Sequence, residues 1–88
     1  MKKQRLELGK MTLLSHGGSI MLGSVSREDY DRVGRAMGTG EQVVVTSYMI
    51  SSGIFGKRLS PRPVTLNLSK YHTLKPFEPH GTYAVRLP

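Results

Sequence analysis

The sequence predicts an α+β domain, a small and mostly antiparallel sheet with one short helix packed on it, in the order ββαβββ. Three observations predict it. Two apolar-rich segments meet at an adjacent pair of glycines, a strong helix start follows at Ser26, and a β-branched run after Gln42 precedes two cleanly alternating segments.

The first expected strand covers residues 4–15, where Leu6, Leu8, Met11, Leu13 and Leu14 alternate imperfectly around Gly9, the pattern of a strand broken or bulged at the glycine. Ser15, His16, Gly17 and Gly18 read as a tight turn, since adjacent glycines tolerate the backbone a hairpin connection requires. Residues 19–25, with Ile20, Met21, Leu22 and Val25, return as the second strand.

Ser26 is a good N-cap, and Glu28, Asp29 and Asp31 crowd the first turns, where unpaired amides and the helix dipole favour negative charge. Arg32 and Arg35 follow towards the other end, Tyr30, Val33 and Met37 form a narrow apolar stripe, and Gly38 and Gly40 stop the helix. Gly34 interrupts so short a helix that tertiary contact, not propensity, must hold it.

Residues 43–50 form the clearest strand, β-branched and mostly apolar, and the expectation is that it is central. In residues 64–69, Val64, Leu66 and Leu68 alternate with Thr65, Asn67 and Ser69, a strand with one wet face. Residues 82–87 alternate likewise, with Tyr83, Val85 and Leu87 inward, and Pro76 and Pro79 bracket a loop before them.

Residues 1–88 are expected to form a single domain with one modest core, and dimerisation through a sheet face would suit so small a chain. With 38% apolar and 22% charged residues, the composition is that of a folded chain rather than a disordered tail. The chain contains no cysteine, which excludes disulfides and thiolate metal sites and suits the cytoplasm. The basic start is not followed by an apolar core of the signal-peptide kind, and no window is apolar enough to span a membrane.

The net charge is +7, and it is unevenly placed. Residues 1–10 carry Lys2, Lys3, Arg5 and Lys10 against Glu7, and residues 42–77 carry Lys57, Arg58, Arg62, Lys70 and Lys75 against no acid. Residues 26–41 hold four acids against three bases, so positive charge is segregated, as a binding face for a polyanion requires.

The segment between residues 51 and 63 sets Ile54, Phe55 and Leu59 beside Lys57, Arg58 and Arg62, and its glycines and prolines point to irregular structure. Two arrangements are open. As a projecting hairpin tip it would neutralise phosphates while an apolar or aromatic side chain, Phe55 foremost, enters a base step or stacks on an unpaired base. Alternatively Ile54, Phe55 and Leu59 fold back to cap the core, and the cations merely solvate the loop. The N-terminal Lys2, Lys3 and Arg5 form a second candidate phosphate-contacting element, or else a solvated end. Tyr71, between Lys70 and His72, is a further aromatic to watch, whereas Tyr48 and Tyr83 read as packing.

No enzymatic, cofactor or metal motif stands out. His16, His72 and His80 lack metal-ligand spacing, no serine sits in a nucleophile elbow, and the glycine clusters lack the endings of phosphate or dinucleotide loops. The expected function is therefore non-enzymatic nucleic-acid binding, with duplex DNA ahead of RNA or single strands, in a small regulatory or accessory protein of the kind phages and plasmids carry. The candidate contacts are Lys57, Arg58, Arg62, Phe55, Lys70, Lys75, Lys2, Lys3 and Arg5. The alternative is a protein-interaction module, such as an inhibitor that docks on an acidic surface of a host enzyme through the same loop or an edge strand.

Overall fold

The computed structural model describes residues 3–54 and 56–86, and of these the side chains of 5–54 and 56–84. The elements are β1 (Lys3–Ser15), β2 (Gly18–Ser26), α1 (Arg27–Ala36), β3 (Gln42–Gly53), β4 (Gly56–Asn67), a 3-10 turn (Leu68–Lys70), β5 (Thr73–Leu74) and β6 (Glu78–Arg86). One antiparallel sheet follows the path β4-β3-β2-β1-β5, and β6 also pairs with β1. The expected small α+β architecture is present, with six strands where five are read from the sequence. The addition is β5, whose two residues give too little pattern to detect.

Strand β1 has the most partners in the sheet, and β3 is interior as expected but lies only one place in from the β4 edge. The former pairs with β2 from Leu8 to Ser15 along one edge, and along the other with β6 from Lys3 to Lys10 and with β5 at Leu13 and Leu14. Serving three partners requires a bend, and both registers shift beside Gly9. A Cβ there would lie 2.5 Å from Glu78 O, 2.6 Å from Phe77 Cζ and 2.7 Å from Pro79 Cα, so only glycine lets β6 cross so closely. Pro79 thus belongs to β6 and not to a preceding loop, and β6 begins at Glu78, four residues before the expected strand.

Helix α1 begins where its cap is read: the Ser26 hydroxyl accepts from Asp29 N at 3.1 Å. Val33 and Ala36 are buried, and Tyr30 and Met37 flank them half-buried. They close a core of Met11, Leu13, Val25, Val45, Leu66 and Leu68, in which each large aliphatic side chain contributes about 1.5–3 kcal/mol. Phe77 pins the helix from the other side, its ring centre 5.1 Å from that of Tyr30 and 4.8 Å from the Arg27 guanidinium. Replacing Ser26 by alanine leaves the Asp29 amide without its acceptor and lowers stability by about 1 kcal/mol in urea denaturation. An unchanged midpoint would contradict the cap.

Candidate nucleic-acid interface

Strands β3 and β4 form one long hairpin, in register from Gln42 opposite Asn67 to Gly53 opposite Gly56, with Ile54 in the turn between them. The expectation of irregular structure through residues 51–63 is thereby corrected. Pro61 and Pro63 are tolerated because β4 is the edge strand and both face its free side. Thr46 donates its N–H to Asp29 Oδ2 at 2.8 Å, away from β4, so the Thr46–Pro63 pair is of the non-hydrogen-bonded kind. Tyr48–Pro61, two residues farther out, is of the same kind by alternation. At the turn, Gly56 has φ 114°, a conformation that L side chains rarely adopt.

The hairpin joins the rest of the sheet at its root. Val25 opposite Ser47 is the one β2–β3 pair among the described residues. Nearer the base, α1 takes the place of a neighbouring strand, with the Asp29 carboxylate accepting from Thr46 and the Arg32 guanidinium donating to Val44 O. Beyond Ser47–Arg62, the pairs Tyr48–Pro61, Met49–Ser60, Ile50–Leu59, Ser51–Arg58, Ser52–Lys57 and Gly53–Gly56 form an arm. At about 3.3 Å per residue it reaches roughly 20 Å.

Alternation gives the arm two unlike faces. Tyr48, Ile50, Leu59, Pro61 and Lys57 share the inner one, on which Tyr48, Ile50 and Leu59 are half-buried and Lys57 Nζ lies 5.5 Å from the centre of the Tyr83 ring in β6. Ser47, Met49, Ser51, Arg58, Ser60 and Arg62 share the outer one, where every residue but the half-buried Ser47 is exposed. Arg58 and Arg62 stand about 13 Å apart along β4, with hydroxyls between and beside them. This face offers only donors, hydroxyls and one thioether to a ligand, a composition suited to phosphate oxygens. At its root a groove of about 360 Å³ is lined by Ser47, Tyr48, Met49, Ser60, Pro61 and Arg62.

Burial, helped by the charge of Asp29, raises the Tyr48 phenol above its ordinary pKa. A raised phenol favours the folded state fully below the unfolded pKa near 10, and that contribution is lost as pH rises through the folded value. Replacing Tyr48 by phenylalanine should therefore flatten the alkaline loss of stability between about pH 9 and 12. Identical profiles for the two proteins would contradict this.

The two readings of the 51–63 segment divide between its residues. Ile54 stands out at 95% exposure, and Lys57, Arg58 and Arg62 are exposed, whereas Leu59 turns inward. Phe55 and Lys2 lie outside the described residues, as does the side chain of Lys3. Arg5 is exposed on β1 beside Leu6, the cross-strand partner of Tyr83, so it lies near the end of the molecule that Lys57 approaches. Lys70 and Lys75 are exposed but elsewhere. Lys70 closes the 3-10 turn at the hairpin base, and Lys75 donates its amide to Thr12 O just after β5. The arm and these two lysines therefore occupy opposite ends of a molecule measuring 43 × 23 × 18 Å.

Ion pairing separates the cations further. Lys10 pairs with Glu78 at 3.4 Å, Arg27 with Glu7 at 2.6 Å and Arg32 with Asp29 at 3.6 Å. Among the described residues no carboxylate pairs with Arg5, Lys57, Arg58, Arg62, Lys70 or Lys75.

The outer-face serines are the residues that the sequence reading passes over. Their signal is the period-two match of Ser47, Ser51 and Ser60 to Arg58 and Arg62, visible only once β4 is known to begin at Gly56. The histidines stay apart as metal ligands, with no group of three or more His, Cys, Asp or Glu gathered among the described residues, although the His16 and His72 rings approach to 4.8 Å. No described helix is long and apolar enough to cross a membrane. No protein-family model, no curated protein and no solved structure matches the chain.

Proposed function

We propose that the protein is a small, non-enzymatic nucleic-acid-binding protein that grips phosphates with the β3–β4 arm, Arg58 and Arg62 on one face and Lys57 on the other. One observation carries the reading: an arm of about 20 Å presents three cations that no described carboxylate neutralises, and Gln42–Asn67 contains no acid at all. Salt-bridged cations on a folded surface are partly spent, whereas these three keep their full charge for a polyanion. Arg5 can extend the contact at the same end, and Lys70 and Lys75 would meet only a ligand that also spans the far end.

Docking of a partner strand on the edge of β4 is the less favoured reading. Pro61 and Pro63 remove two successive outward N–H donors, so the free edge is a poor template for strand addition. Fluorescence anisotropy of nuclease-treated protein with labelled duplex DNA, single-stranded DNA and RNA, across a salt series, tests the proposal. The expected result is binding that falls steeply with salt, tightest for duplex DNA. No binding to any of them at low salt would overturn it and direct the search to an acidic protein partner.

A further inference from the structure

We infer that the arm enters a groove of duplex DNA tip first and that Ile54 wedges into a base-pair step and kinks the helix, an inference that rests on the nucleic-acid reading above. Ile54 is 95% exposed, the most open of the large apolar side chains among the described residues, ahead of Met49 at 62%, Met21 at 57% and Val44 at 54%. Gly53 and Gly56, the last pair of the ribbon, carry no side chains, which keeps the ribbon slim just behind Ile54. A branched aliphatic group held in water at the end of a cationic arm is the composition of a wedge that leaves water only when it reaches a base stack.

The spacing of the charges fits the depth of a groove. Lys57 and Arg58 follow Gly56 on opposite faces of the ribbon, about 7–10 Å behind the tip. Grooves of B-form DNA are about 7.5–8.5 Å deep. With the two cations at phosphates on the groove rims, Ile54 therefore arrives at the base edges on the floor. A two-stranded ribbon, its strands about 4.8 Å apart, is of a width that the major groove of B-form DNA accommodates and that the narrow major groove of A-form RNA does not.

The test is end-to-end fluorescence energy transfer in a duplex of about 30 base pairs, together with affinities for the intact duplex and for one carrying a central mismatch. Wild type and Ile54→Ser are compared, because an exposed side chain can be exchanged without disturbing the core and the thermal midpoint verifies it. Wild type is expected to shorten the end-to-end distance and to bind the mismatched duplex at least about tenfold tighter, since its step is already partly unstacked. Ile54→Ser should retain the salt slope, which the cations set, and lose both the bending and the mismatch preference. Wild type bound to a straight duplex, or an Ile54→Ser protein that bends DNA equally, would overturn the wedge while leaving the phosphate-gripping arm intact. Failure of wild type to bind any nucleic acid would overturn both.

Discussion

Replacing Lys57, Arg58 and Arg62 together by glutamine is expected, on the proposed function, to lower affinity for duplex DNA by on the order of 10²–10³-fold at about 0.1 M salt and to take roughly three units off the slope of log K against log salt. Each neutralised phosphate releases condensed counterions, and the gain from that release grows as salt falls. The three side chains are exposed and unpaired with any described carboxylate, so their removal leaves no buried charge behind and the thermal midpoint should hardly move. Lys57 differs from the other two, because its contact with the Tyr83 ring is lost as well. Replacing Lys70 and Lys75 serves as the internal comparison, since they lie at the far end of the hairpin. Their loss should cost short duplexes much less. An equal loss from both sets would mean that diffuse charge, and not the arm, carries binding.

Gly9→Ala is expected to be the most damaging single substitution in the fold, costing about 3 kcal/mol and roughly 10–25 °C of Tm. Two of the three atoms its Cβ would strike, Glu78 O and Pro79 Cα, belong to backbone and cannot rotate away. The third, Phe77 Cζ, belongs to the ring that holds Tyr30 and Arg27 of α1. Relief of the clash therefore requires β6 to separate from β1 or the helix to lose its aromatic support. The root of the arm is one pair away, since Ser47 lies opposite Val25, which lies opposite Gly9, and Thr46 is held by Asp29 of α1, so binding should weaken together with the fold. A Gly9→Ala protein with unchanged Tm would show that the close crossing of β1 and β6 is not a constraint.

Local chemistry made much of the fold legible. The break at Gly9, the cap at Ser26 and the inward Val64 and Leu66 follow from short-range pattern, and the structure agrees with each, whereas the helix ends at Ala36, ahead of the stop expected at Gly38, and Leu68 is buried from the 3-10 turn and not from the expected strand over 64–69. The outer half of β4 was illegible for a physical reason. Pro61 and Pro63 forbid an interior strand but not an edge strand with those N–H positions facing outward, and whether a strand lies at an edge is a property of the assembled sheet. The same holds for Pro79, which enters β6 at the bulge opposite Gly9. Reading Gly56, Pro61 and Pro63 as loop residues hid the alternation that sets Arg58 and Arg62 on one face and Lys57 on the other. The charge excess was visible in composition. Which cations are neutralised was not, because the pairs Lys10–Glu78 and Arg27–Glu7 join residues far apart in the chain.

The central claim, that the β3–β4 arm is where nucleic acid binds, is tested most directly by titrating ¹⁵N-labelled protein with a short DNA duplex and mapping the backbone amide shifts. The prediction is that the largest shifts cluster between Ser47 and Arg62 and extend to Arg5 and Leu6, while Lys70 and Lys75 change little. Shifts centred on the 3-10 turn and β5, or spread evenly over every exposed cation, would contradict it.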